Sequence, residues 1–305
     1  MRKKNWRWLL VGVALLAILG GSTWYFHERP SLVANQEQQR ILKEKILLVA
    51  LGDSLTHGQG DEKDQGGYVG QIKTRLEDKY GNQVTTENFG VTGDRSDQIK
   101  ARLDSQKEIQ TGIRSADVIV MTVGGNDLMQ TLEKTAFSDS SSTVEKAVDA
   151  AGKTYQLKLT ALLKDVRKYN PNAQIFVFSI YNPFYTYFPN VTVISKAVAK
   201  WNQLTKQVVA KYQPATFVDV DYLLSYGQYT TREKRQQLAA QAQKTNDGQI
   251  SQASVLAIMN NKDHNLNEYI STTDNFHPNH LGYTKMTDKL FNAMVHNNSF
   301  EYQTR

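Results

Sequence analysis

The chain has 305 residues with six prolines and no cysteine, and 40% of its residues are hydrophobic and 22% charged. This globular composition excludes disorder throughout, collagen-like and disulfide-rich scaffolds, thiolate metal sites, iron–sulfur clusters and cysteine nucleophiles. Four cations in the first seven residues (Arg2, Lys3, Lys4 and Arg7) supply most of the net charge of +6, and the nearly balanced remainder has no electrostatic footprint for nucleic acid.

Residues 8–26 (WLLVGVALLAILGGSTWYF) carry no charge. As a helix of about 1.5 Å per residue they reach roughly 28 Å, close to a hydrocarbon core. The cations ahead of the segment form a positive-inside flank, and Trp6, Trp8, Trp24 and Tyr25 form an aromatic belt. The segment is expected to be a signal anchor. A cleaved signal peptide is the alternative, with a weak small-residue site near Gly20–Thr23. Either outcome puts the rest of the chain outside the cytoplasm: on the cell membrane as a single-pass protein, or secreted. No cysteine follows, which excludes a lipoprotein anchor. Residues 27–44 are polar and read as a tether, so the folded body should span residues 45–305.

Within that body, residues 46–51 (ILLVAL) predict a buried strand ending at Gly52. Val69, Ile72 and Leu76 have helical spacing, with Gly81 as a stop signal. Residues 84–89 predict the second strand and residues 117–123 (DVIVMTV) the third. Leu159, Leu162, Leu163 and Val166 mark a helix ended by Pro171, and residues 174–180 (QIFVFSI) predict the fourth strand. Ile194, Val198, Trp201 and Val208 mark another helix, followed by a weaker fifth strand at residues 216–220. The last helix is expected over residues 278–295, with Pro278 in its first turn. Residues 130–156 and 222–272 exceed a minimal fold and read as insertions over one rim or as surface decoration. Apolar strands alternating with amphipathic helices predict an α/β fold with a mostly parallel sheet covered on both faces. Ligands bind such sheets beyond the carboxyl ends of the strands.

Three strand ends deliver small and polar groups to that rim: Gly-Asp-Ser, Asn-Phe-Gly-Val-Thr-Gly and Gly-Gly-Asn-Asp. A serine nucleophile needs an imidazole to take its proton, a carboxylate to orient the imidazole, and donors for the oxyanion. Ser54 stands at a strand-to-helix turn, where the plain alternative is a helix cap. Asp274 and His277 are three apart and can meet on one helical turn. The N–H groups of Ser54 and Gly93 and the amide of Asn126 are candidate oxyanion donors.

These residues carry a family resemblance. The sequence resembles the SGNH (GDSL-type) hydrolases in four blocks, in the family's order: residues 52–55 (GDSL), 88–93 (NFGVTG), 124–127 (GGND) and 274–278 (DNFHP). It is most similar to membrane-anchored or secreted GDSL-family lipases and acylhydrolases of Gram-positive bacteria. The resemblance implies a three-layer α/β/α fold with a flavodoxin-like sheet. It implies a serine esterase or lipase with Ser54, Asp274 and His277 as catalytic residues, and Ser54, Gly93 and Asn126 as the oxyanion hole. No cofactor and no metal are implied, and the partner is a small-molecule, lipid or acylated-glycan ester. Three rivals stand beside it. His277 and His280 with Asp274 are a candidate zinc set. Gly152-Lys153-Thr154 resembles the end of a P-loop, but Ala147 stands where the first glycine belongs. The same blocks could also serve a binding module for cell-wall glycan or lipid, with Tyr181, Phe184, Tyr185, Tyr187 and Phe188 as its ligand wall.

Overall fold

The computed structural model describes residues 40–135, 141–245, 252–260 and 266–304. The chain divides into a body, Leu42–Gln303, and a terminal unit, Met1–Ile41 with Thr304–Arg305, of which only residues 40, 41 and 304 are described. The body contains all that follows. Among the described residues no helix is long and apolar enough to cross a membrane. The expected membrane segment, residues 8–26, and most of the tether lie outside them.

The core of the body is a parallel five-stranded sheet: β1 (Lys45–Gly52), β2 (Gln83–Gly90), β3 (Val118–Thr122), β4 (Gln174–Phe178) and β5 (Ala215–Val218). Their order is β2-β1-β3-β4-β5, the doubly wound arrangement with its switch point between β1 and β3. Each strand lies within one or two residues of its expected position. The apolar runs arise because both faces are covered. In β1, Ile46, Leu48 and Ala50 enter one core layer, while Val49 and Leu51 enter the other. Strand β2 lies at the sheet edge and is only partly buried.

On one face pack α2 (Gly67–Tyr80) and the last helix, α11 (His280–His296), through Ile72, Leu76, Tyr283, Met286 and Leu290. The left-handed Gly81 caps α2, as the sequence predicts. The start of α11 differs from expectation. Asn279 is its N-cap and accepts from the Gly282 N–H, while Pro278 sits outside the helix in an isolated bridge with Ile270. A capping side chain fixes a helix start more firmly than a proline that merely tolerates one.

The opposite face carries α3 (Ser96–Ser105), α4 (Lys107–Ser115), α5 (Gly125–Thr135), α6 (Ser141–Tyr169) and α7 (Thr192–Val209). Residues 130–156 therefore hold the end of α5 and the first half of α6. Val144, Val148 and Tyr155 join the same core layer as Leu159 and Leu163. The P-loop-like Gly152-Lys153-Thr154 lies inside α6, where no loop exists to cradle a phosphate. Residues 222–272 include helices α8 (Asp221–Tyr226), α9 (Arg232–Thr245) and α10 (Gln252–Asn260).

Glu301, after α11, is fully buried. Its Oε2 accepts from Asn82 Nδ2 at 2.5 Å, and Oε1 has no partner among the described residues. Burial pushes its carboxyl up to about 7 against the opposing pull of Asn82 and Lys43. In the unfolded chain it titrates near 4.5. Between those values the native state holds a proton that the unfolded chain has lost. The stability from this site is thus complete below about pH 4.5 and falls as pH rises through about 7, by on the order of 1–3 kcal/mol. Glu301→Gln should flatten this slope in a series of melting temperatures from pH 4 to 8.

Candidate active site

At the carboxyl end of β1 the chain turns sharply into α1 (Ser54–His57), a single helical turn. The turn needs Gly52. A Cβ there would meet the Thr122 carbonyl and the Thr56 hydroxyl, both at 2.5 Å. Asp53, rather than Ser54, caps the turn: its Oδ1 accepts from the Leu55 N–H at 3.1 Å and from Thr122 Oγ1 at 2.7 Å. Asp53 thus ties the end of β1 to the end of β3. Thr122 Oγ1 continues through Thr56 Oγ1 to the Tyr68 hydroxyl, at 2.7 and 2.8 Å. Burial raises the Asp53 carboxyl, although Thr122, Leu55 and the nearby His277 pull the other way.

With Asp53 as cap, the Ser54 hydroxyl is left for another partner. Ser54 Oγ lies 2.9 Å from His277 Nε2, and His277 Nδ1 lies 2.6 Å from Asp274 Oδ2. Asp274 and His277 meet without a helix. Residue Asn275 takes a left-handed conformation (φ 50°), and Asp274 Oδ1 accepts from the N–H groups of Phe276 and His277, each at 3.0 Å. The Ser271 N–H donates to the His277 carbonyl, which closes the turn. Burial opposes ionisation of Asp274. The His277 ring and the two backbone donors outweigh it, and the carboxyl sits below its ordinary range. A serine–imidazole–carboxylate chain of this geometry, buried at Ser54 and His277 and part-buried at Asp274, can move a proton off the hydroxyl.

Gly93 and Asn126 take different positions. Asn126 is the second residue of α5 and lines the same cleft as Ser54 and His277. Its Nδ2 donates to the Asp94 carbonyl at 2.9 Å, which leaves one amide hydrogen. Gly93 has φ 83° and is exposed, and a Cβ there would meet nothing. It does not line the cleft but flanks the Asp94 that Asn126 holds. The zinc rival loses its shared set, because His280 Nδ1 pairs with Asp61 Oδ1 at 2.9 Å instead.

The cleft has a volume of about 670 Å³, part of it open to solvent. Leu128, Met129 and Leu132 of α5 form one wall, and Ile194 and Val198 of α7 another. The aromatic cluster divides. Tyr181 and Phe184 line the cleft, Phe188 joins the core, and Tyr185 packs edge-on against Tyr226. The α5 wall had no signal of its own in the sequence. Its residues are ordinary helical hydrophobics, and only the fold aims them at Ser54.

A family model, the GDSL-like lipase/acylhydrolase family, matches residues 50–285. The chain belongs to this family. It is 30% identical over 253 residues to the uncharacterized protein YpmR of Bacillus subtilis, covering 83% of this chain and 82% of that one. It is 25% identical over 241 residues to the spore germination lipase LipC of Bacillus licheniformis, covering 79% and 92%. Among solved structures it resembles the lipase Lip_vut3 from a goat rumen metagenome, with a TM-score of 0.60 and 25% identity over 81% of this chain and 97% of that one. As a GDSL-family member with this fold, the protein is a carboxylic ester hydrolase.

Proposed function

We propose that the protein hydrolyses esters of apolar acyl chains through an acyl-enzyme on Ser54. The observation that carries this reading is the Ser54–His277–Asp274 chain at the head of a cleft walled by aliphatic and aromatic side chains. His277 Nε2 takes the proton from Ser54 as Oγ attacks the carbonyl. The oxyanion accepts from the Ser54 N–H and the Asn126 amide, which line the cleft, and, as the family resemblance implies, from the Gly93 N–H. The imidazolium then gives its proton to the leaving alcohol. A water repeats the sequence in reverse and releases the acid. Asp274 holds Nδ1–H of His277 throughout and offsets the imidazolium charge.

The cleft favours an acyl chain over an acetyl group. From Asn126 to Leu132 the wall of α5 runs about 9 Å along the helix axis, and beyond the Asn126 amide its cleft residues Leu128, Met129 and Leu132 are apolar. Apolar lining stabilises each added methylene by roughly 0.8 kcal/mol when fully buried. The purified protein should therefore turn over p-nitrophenyl octanoate with a higher kcat/KM than the acetate. A preference for acetate would point instead to an acetylated glycan. Leu132→Trp fills the far part of the wall. It should lower kcat/KM for palmitoyl ester about tenfold or more relative to acetate, measured across the same ester series.

We further propose that residues 8–26 anchor the protein in the cell membrane with the body outside the cytoplasm. The basic flank, the apolar length and the aromatic belt support this. Protease treatment of intact cells should degrade the body while the anchor stays with the membrane fraction. Release of the whole body into the medium would mark a cleaved signal instead.

A further inference from the structure

Arg102, in the last turn of α3, makes contacts that the proposed chemistry leaves unexplained. Arg102 is mostly buried and spreads its guanidinium over three acceptors. Nε donates to Asp94 Oδ2 at 2.6 Å, Nη1 to the Phe89 carbonyl at 3.0 Å, and Nη2 to the Gly52 carbonyl at 3.0 Å. Gly52 lies two residues before Ser54 at the end of β1. Phe89 lies at the end of β2, where the chain leaves for Gly93. Asp94 directly follows Gly93. Its own carbonyl accepts from Asn126 Nδ2. One planar group thus touches the backbone behind each of two proposed oxyanion donors and, through Asp94, orients the third.

The rest of this loop is braced in the same sense. The Val91 N–H donates to the Gly52 carbonyl at 3.1 Å, and the Asp94 N–H to the Val91 carbonyl at 3.3 Å. Ser96 donates through its N–H and its hydroxyl to the two oxygens of Asp127, the neighbour of Asn126, at 2.8 and 2.6 Å. Gly93 itself has no side chain and packs against nothing at its Cβ position. Its placement therefore depends on the residues on either side.

We propose that Arg102, acting with Asp94, is the positioning residue of the oxyanion site, setting the spacing of the Ser54 N–H, the Gly93 N–H and the Asn126 amide. This rests on the reading of those three groups as oxyanion donors. Arginine is required because the task needs fixed, coplanar donors in three directions. A lysine ammonium is a single flexible point and cannot hold two strand ends and a carboxylate at once. Neither Arg102 nor Asp94 lines the cleft, so their effect should fall on the transition state. A displacement of donors by about 1 Å costs on the order of 10²-fold in rate.

The test compares wild type with Arg102→Lys and Asp94→Asn, using p-nitrophenyl octanoate, an octyl trifluoromethyl ketone and its plain methyl ketone analogue. The trifluoromethyl ketone forms an oxyanion with the serine, and the methyl ketone reports ground-state binding only. The expected result is a fall in kcat of about 10–100-fold with little change in KM. The trifluoromethyl ketone should lose affinity by a similar factor while the methyl ketone binds as before. Equal weakening of both ketones, or unchanged kcat in both variants at an unchanged melting temperature, would overturn the proposal. If Arg102→Lys does not fold, the near-isosteric Asp94→Asn decides by the same readouts. Ser54→Ala run in parallel separates the two readings. Activity retained there removes the oxyanion-site reading itself, whereas activity lost there with Arg102 variants unaffected removes only the positioning role.

Discussion

Ser54→Ala should lower ester hydrolysis by roughly 10⁴–10⁶-fold while the protein stays folded. The hydroxyl is the atom that the His277 ring addresses, at 2.9 Å. Without it no acyl-enzyme forms, and what remains is the weak help that the donors give to attack by water. The fold should tolerate the change. Asp53, not Ser54, caps the turn and ties it to β3, so alanine removes no structural bond from the loop. The melting temperature should move by a few degrees at most. Turnover of p-nitrophenyl esters, labelling by a serine-reactive phosphonate and a thermal melt check the three parts together. A folded Ser54→Ala protein that still hydrolyses esters at the wild-type rate would end the assignment of Ser54 as nucleophile.

Asp274→Asn should cost about 10⁴-fold in kcat with the fold intact. The reason lies in which oxygen does what. Oδ1 accepts from the backbone N–H groups of Phe276 and His277, and Oδ2 faces His277 Nδ1. An asparagine keeps the turn by placing its carbonyl oxygen at the Oδ1 position. Its NH₂ group then points at Nδ1, which must become the acceptor. The ring proton moves to Nε2, so the nitrogen facing Ser54 becomes a donor and can no longer take the hydroxyl proton. Steady-state kinetics and a thermal melt distinguish this from unfolding. The sign of the pH effect follows from the lowered Asp274 carboxyl. Its contribution to stability is present above the ordinary aspartate range, near 3.8, and is lost only as pH falls through the still lower native value. Asp274 therefore stays ionised at neutral and mildly acidic pH. A fall in activity on mild acidification then has a cause other than protonation of Asp274.

The strands could be read along the chain because a sheet covered on both faces leaves an unbroken apolar run, and β1, β3 and β4 are such runs. The four blocks could be read because each is contiguous, and the first three sit where a strand ends. Pro278 misled the reading of α11, since the Asn279 cap beside it determines where the helix begins. The spacing of Asp274 and His277 suggested a helical turn. The left-handed Asn275 makes a tighter loop that brings the same two side chains together. Leu159 to Val166 marked only the second half of α6; the buried stripe of its first half, Val144, Val148, Gly152 and Tyr155, keeps helical spacing but includes a glycine and gives a thinner apolar signal.

By itself, the sequence determined the chemistry available to this protein: which contiguous blocks offer a hydroxyl, an imidazole and a carboxylate that can serve as nucleophile, base and acid. Short-range rules suffice there, since a turn and its polar residues are neighbours in the chain. Only the tertiary structure decided what surrounds that chemistry. Ser54 and His277 meet across 223 residues, Leu132 and Ile194 come from separate helices to wall one cleft, and Arg102 reaches back to the ends of two strands. Nothing local marks such residues, because their roles come from the packing of distant elements onto one sheet.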